Sequence, residues 1–262
     1  MDVRPAALAG QFYAGDAATL AADVDRFLAA ATPSGRAPKA IVAPHAGLIY
    51  SGPIAGSAYS ELAPIRDQIE RIVLLGPAHR VFVRGLCAPT VERFETPLGA
   101  VRLDRRALDS LRDLPQVSFA DAPHAQEHSL EVQLPFLQRL LGDFALVPLV
   151  VGAASPEDVA EVLERLWGGP ETRVVISSDL SHFHDYDSAR ELDRVTTAAI
   201  EALDVRGLDE ESACGRVPIR GLLTVARRHG LRARTLDLRN SGDTAGRKDR
   251  VVGYGAYAFT DD

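Results

Sequence analysis

Apolar positions along this chain fall into two alternating patterns. Short, nearly continuous runs rich in Val, Ile and Leu occupy residues 39–43, 71–75, 144–151 and 173–177. Runs of that length that stop at Pro, Gly or Ser predict strands buried on both faces of a parallel sheet. Between them lie longer segments with apolar residues at helical spacing. Residues 16–30 begin at a candidate Asp cap and predict a helix. Residues 126–141 place Leu130, Leu134, Leu137 and Leu141 on one face, which predicts one helix running through Pro135. Ser155-Pro156 opens another, with Pro in its first turn. Further helices are predicted at about 53–62, 104–113, 187–203 and 217–229. Residues 85–103 read as a β excursion turning at Thr96-Pro97-Leu98-Gly99, and strands near 232–238 and 250–259 come after the last helix. Strands alternating with helices, with no internal repeat and no interdomain linker, predict one domain over residues 1–262. Its expected form is a three-layer α/β/α sandwich with a mostly parallel or mixed central sheet.

Composition narrows the function classes. The chain has 262 residues, 46% hydrophobic and 25% charged, ample for a substantial core. The net charge is −7 and the arginines are interleaved with acids, as in Arg102 to Asp109, so nucleic acid is not an expected partner. No apolar run approaches the roughly 18–20 residues of a membrane helix, and the first residues lack a signal-peptide core, so the expectation is a cytoplasmic protein without membrane attachment. Cys87 and Cys214, the only cysteines, make no disulfide framework.

Three of the strand runs lead directly to histidine: Ile41 to His45, Ile72 to His79, and Val174 to Asp179 and His182. Ligands of open α/β sheets bind beyond the carboxyl ends of the strands, so these side chains are placed to converge on a metal or acid–base site. Gly47 and Gly52 allow a tight turn after His45; the ordinary alternative there is an exposed or capping histidine. His79 repeats the placement after the next strand. Neutral imidazole is a common ligand for Zn, Fe and Cu. In SSDLSHFHDYD, Asp179 can ligate or orient and His182 can serve as general acid or base, with a helix-capping turn as the alternative reading. Cys214 precedes a helix start and Arg216, both of which favour thiolate; a free Cys is more often a small core residue, the better account of Cys87. His124-Ala-Gln-Glu127-His128 matches the inverted zinc-peptidase pattern H-x-x-E-H, a five-residue signal that leaves His45, His79 and His182 unused. Glu127 and His128 feeding the same cleft is the better reading. Phosphate-loop, dinucleotide and G-x-S-x-G motifs are absent.

Seven segments in order, RPAALAGQFY, APHAGLIYSGPIA, LLGPAH, EHSLEVQLPFLQ, SSDLSHFHDY, ACGRVPI and NSGD with RVVGYGAYAF, resemble the Memo family, called AmmeMemoRadiSam system protein B in prokaryotes. The resemblance spans Arg4 to Phe259. It implies a fold related to class III extradiol ring-cleaving dioxygenases, which are non-haem Fe(II) enzymes. It also implies metal ligands at His45, His79 and Cys214, with Asp179 and His182 beside them and Tyr50, Glu127 and His128 lining or supporting the cleft. A Cys in place of the dioxygenase carboxylate shifts preference toward copper or zinc and argues against ring cleavage. The expected function is an iron- or copper-dependent oxidoreductase acting on a small molecule. The alternatives are a binding or adaptor protein that uses the cleft for a peptide or small ligand, and a zinc hydrolase. The family name implies an AMMECR-type protein and a radical SAM protein as partners.

Overall fold

The apolar runs become the middle of a nine-stranded mixed sheet. The computed structural model describes residues 2–261. Its strands are Val3–Arg4 (β1), Ala40–Ala43 (β2), Arg71–Pro77 (β3), Leu86–Ala88 (β4), Arg93–Thr96 (β5), Gly99–Arg102 (β6), Val117–Phe119 (β7), Ala145–Val151 (β8), Thr172–Ser177 (β9), His182–His184 (β10), Arg232–Asn240 (β11) and Val251–Thr260 (β12). The helices are Ala17–Ala30 (α1), Leu48–Ser60 (α2), Arg105–Asp109 (α3), Ala122–Ala125 (α4), His128–Glu131 (α5), Leu134–Leu141 (α6), Pro156–Leu166 (α7), Tyr186–Glu201 (α8) and Arg216–Arg228 (α9).

The main sheet runs β10-β12-β2-β9-β3-β8-β4-β7, with β11 also paired to β12. Its centre is parallel: β2 with β9, β9 with β3, and β3 with β8. Every residue of β2, β8 and β9 is buried, as the unbroken apolar runs require. Each fully buried Val, Leu or Ile contributes roughly 1.5–3 kcal/mol relative to exposure. The outer members β12 and β4 are antiparallel to their inner neighbours, which makes the sheet mixed. Helices α1, α2 and α6 pack together, and α7 packs on α9, covering the sheet in a three-layer α/β/α sandwich. Residues 93–102 form the expected hairpin, which pairs with β1 as a separate small sheet.

Two expectations change. Helix α2 starts at Leu48, five residues early, because the Leu48 N–H is taken up by the Phe12 carbonyl and the chain turns at Gly47. Pro53 then sits inside the helix. The segment 126–141 is two helices: Pro135 falls in the first turn of α6, and α5 before it is a single turn. Proline lacks the N–H that a continuous helix needs, but it suits a helix start. Leu130, Leu134 and Leu137 are buried as predicted. No helix among the described residues is long and apolar enough to cross a membrane.

Candidate metal centre

Because β2, β3 and β9 run parallel, their carboxyl ends open at one edge of the sheet. His45 follows β2, His79 follows β3, and Asp179 and His182 follow β9. His128 reaches the same place from the first residue of α5. One potential ligand atom from each of His45, His79 and His128 lies within 4.8 Å of the other two. The ring centroids are 5.3 Å apart for His45 with either partner and 4.4 Å for His79 with His128. Three histidines from three segments thus form a group that can bind a metal ion.

Hydrogen bonds fix which nitrogens face inward. The Ser177 hydroxyl donates its one proton to the Ser129 carbonyl at 2.5 Å. It must therefore accept from His45 Nδ1, 2.8 Å away, leaving a lone pair on His45 Nε2. Gln133 donates to the same hydroxyl at 2.7 Å and accepts from the Tyr59 hydroxyl at 2.8 Å, so the support is itself held. His79 Nδ1 donates to the Glu127 carboxylate at 2.9 Å, which directs its Nε2 outward in the same sense. Glu127 also accepts the backbone N–H of His79 at 2.6 Å and of Ser129 at 3.0 Å. Burial would raise this carboxyl, but the His79 ring and the two backbone N–H groups prevail and hold it down to about 2. Carboxylate–histidine pairs of this kind orient a ligating ring and raise its basicity. His128 Nδ1 is buried without a hydrogen-bond partner, 3.4 Å from the same carboxylate.

Burial favours the neutral form of two of the three imidazoles. Burial, then the neighbouring His79, His128 and His182, holds His45 well below 6.5. Burial takes His128 down to about 4. Neutral imidazole is the metal-binding form, so donor chemistry and protonation fit a metal ion.

Cys214 sits just before the cap of α9, with Sγ 3.4 Å from His45 Nε2. The sulfur therefore borders the histidine group through His45. Its expected thiolate character is not borne out. Burial comes first and the Asp179 charge second, and together they push the thiol well up. Arg216 turns away to Glu210 at 3.2 Å. Asp179 is buried and its carboxylate accepts the His45 backbone N–H at 2.8 Å, so it holds the loop that carries His45. Burial raises Asp179 to about 7. Burial also holds His182 below its ordinary value.

Tyr50, His128, Asp179 and His182 line one side of an open cavity of about 710 Å³, with Phe12, Tyr254 and Arg250 among the residues around it. At this rim Phe183 takes a left-handed backbone (φ 66) and is 60% exposed, with the Arg250 guanidinium 4.3 Å from its ring centroid. A non-glycine residue in that region carries strain of about 1 kcal/mol or more, and such residues are concentrated at functional sites.

The H-x-x-E-H residues divide. Glu127 and His128 join the site, whereas His124 turns into the core, with Nε2 3.0 Å from the Cys87 carbonyl. That is not a peptidase arrangement. Cys87 is buried, as expected. Sequence reasoning missed Ser177, Gln133, Phe12 and Arg4. The Arg4 guanidinium bonds the carbonyls of His124 and Glu127 at 2.5 and 3.0 Å and the Glu131 carboxylate at 2.5 Å, tying the first strand to the segment that carries His128. A lone Arg ahead of the small-residue stretch Pro5-Ala6-Ala7 was the available signal for Arg4.

The model for the Memo-like protein family matches residues 4–258. A MEMO1 family protein of Ignicoccus hospitalis is 36% identical, with 99% of each chain covered. Those of Sulfolobus acidocaldarius and Metallosphaera sedula are 33% and 32% identical, covering 99% and 100% of this chain. Among solved structures, an uncharacterized protein from Escherichia coli K12 aligns with a TM-score of 0.52 at 13% identity, over 83% of this chain and 98% of that one.

Proposed function

This chain belongs to the Memo-like protein family, and from that premise we propose that it is a metal-dependent oxidoreductase acting on a small molecule held in the cavity beside His128. One observation carries the reading: three imidazoles converge on one point, two of them with their outer nitrogens already committed to Ser177 and Glu127. His45, His79 and His128 would hold the ion, with Cys214 Sγ beside His45 as a further donor once deprotonated. Iron or copper would supply one-electron chemistry there, and zinc would supply only Lewis acidity.

The chain's own residues do the rest. Glu127 and Ser177 keep the His79 and His45 rings oriented. Asp179, raised by burial to about 7, can hold or release a proton near neutral pH at the carboxylate that also caps His45 N–H. His182 faces the same cavity as a second proton carrier. Phe12, Tyr50 and Tyr254 supply ring faces for an apolar substrate portion.

Elemental analysis of anaerobically purified protein tests this. Wild type is expected to carry about one iron or copper, lost in H45A, H79A and H128A. C214S sorts the donors: loss there adds sulfur to the set, and retention leaves the histidines alone. Metal content unchanged across all three histidine variants sinks the reading. Zinc as the resident ion removes the redox half and leaves hydrolysis. A wild-type protein without metal, yet still capturing a peptide or small molecule in the cavity, favours a binding role.

A further inference from the structure

A second concave site lies away from the histidines, along the seam where α7 and α9 pack. The helices approach closely at Gly221, where a Cβ would stand 2.3 Å from Val159 Cγ1. Beside that contact, Pro156 and Glu157 at the start of α7, the turn at Asp204 and Arg206, and one face of α9 enclose about 690 Å³. Arg220, Thr224 and Arg227 occupy positions i, i+4 and i+7 of α9, so they project along the same line. Arg206 and Arg228 complete a set of four guanidinium groups.

These arginines are not the usual solvated ion pairs. Among the described residues, only Arg228 of the four has a carboxylate within 4.0 Å, Glu164 at 3.8 Å. Among the described residues, Arg206, Arg220 and Arg227 have none, and Arg220 Nε is buried without a hydrogen-bond acceptor. The Asp204 carboxylate is used within its own turn, accepting the Arg206 backbone N–H at 3.0 Å. The lining side chains alone, four arginines against Glu157 and Asp204, sum to +2, of which Glu164 beside Arg228 offsets a part, in a chain whose net charge is −7. Concentrating unpaired like charge in one concavity costs free energy unless an anion offsets it.

We propose that this seam binds a phosphate-bearing small molecule through its terminal phosphate dianion. The planar fork of arginine matches phosphate oxygens in pairs, and a phosphate monoester carries about −1.5 to −2 charge near neutral pH, close to what the lining lacks. A single carboxylate offsets only half of it. No aromatic ring lines the groove, so the phosphate, not a stacked base, is what it recognises. The proposal does not depend on the metal reading.

Calorimetric titration of the full chain at fixed ionic strength tests it, using inorganic phosphate, pyrophosphate and glycerol phosphate as probes against chloride. Saturable binding is expected, weakened at least tenfold in R220M and in R227M. R206M, an exposed loop change that leaves the core untouched, is expected to weaken it as well. R36M removes the same charge from a distant exposed loop and should change affinity less than twofold. H79A should leave binding intact, which separates the groove from phosphate captured at the histidine group. Tighter glycerol phosphate than inorganic phosphate marks a monoester as the ligand, and the reverse order marks the free anion. Absence of saturable binding, equal weakening in R36M, loss in H79A, or unchanged affinity in the groove variants overturns the proposal.

Discussion

Replacing Glu127 with Gln probes the centre at its support. The carboxylate is 1% exposed and accepts three N–H groups: the His79 ring at 2.9 Å and the backbones of His79 and Ser129 at 2.6 and 3.0 Å. An amide of the same shape keeps one acceptor oxygen and turns an NH2 toward donors. The change has two costs. The carboxyl falls from 4.5 to about 2 on folding, a contribution of about 3 kcal/mol at 1.36 kcal/mol per unit. Because the folded value is the lower one, that contribution is full above pH 4.5 and is lost as pH falls toward 2. E127Q should therefore lower urea stability at pH 7 by up to about 3 kcal/mol and flatten its pH dependence in the acid range. The second cost is to the metal. Loss of a carboxylate behind a ligating His weakens metal affinity about 10–100-fold, or about 1.4–2.7 kcal/mol. Zinc is a suitable probe because it has no redox chemistry; its affinity is read by chelator competition. Wild-type zinc affinity and an unchanged urea midpoint in E127Q would together refute the role assigned to Glu127.

Two further outcomes are expected. R4M leaves the Glu131 carboxylate, which also accepts from Ala7 N, Leu8 N and the Tyr13 hydroxyl, buried without its cation, and should cost about 3–5 kcal/mol in urea denaturation; a loss under about 1 kcal/mol contradicts this. His124 is buried and burial takes it from 6.5 down to about 4, so the unfolded chain binds its proton first as pH falls. Stability from this residue is full above pH 6.5 and declines toward pH 4, by about 3 kcal/mol; H124N should lose that slope between pH 6.5 and 4, and a slope identical to wild type counts against it.

The strand ends were legible because period and composition are local. A run such as Ile41-Val42-Ala43 has to be buried on both faces, and the next few residues have to leave the sheet at the edge where sites form. That reasoning located His45, His79, Asp179 and His182 without a structure. It could not set the path of His128, because the leucine spacing on either side of Pro135 is the same for one helix or two. The partners that orient the donors were also out of reach. Ser177 and His45 are 132 residues apart, and Arg4 and Glu131 are 127 apart. No periodicity links such positions; only the closed sheet does. The thiolate expectation for Cys214 failed for a related reason. Helix start and Arg216 are visible in sequence, whereas the depth of burial that outweighs them is not.

The place of β12 bears on how the protein is made. This strand pairs with β2, β10 and β11, so it stands inside the sheet although it comes after all of them in the chain. A ribosome that has delivered residues 1–250 has already made His45, His79, His128, Asp179, His182 and Cys214, yet β2 still has an open side. The residues of the candidate site thus exist before the sheet that seats them is finished, and an unpaired β2 edge is free to meet other chains meanwhile. The three histidines come together only once β12 has closed that side of the sheet.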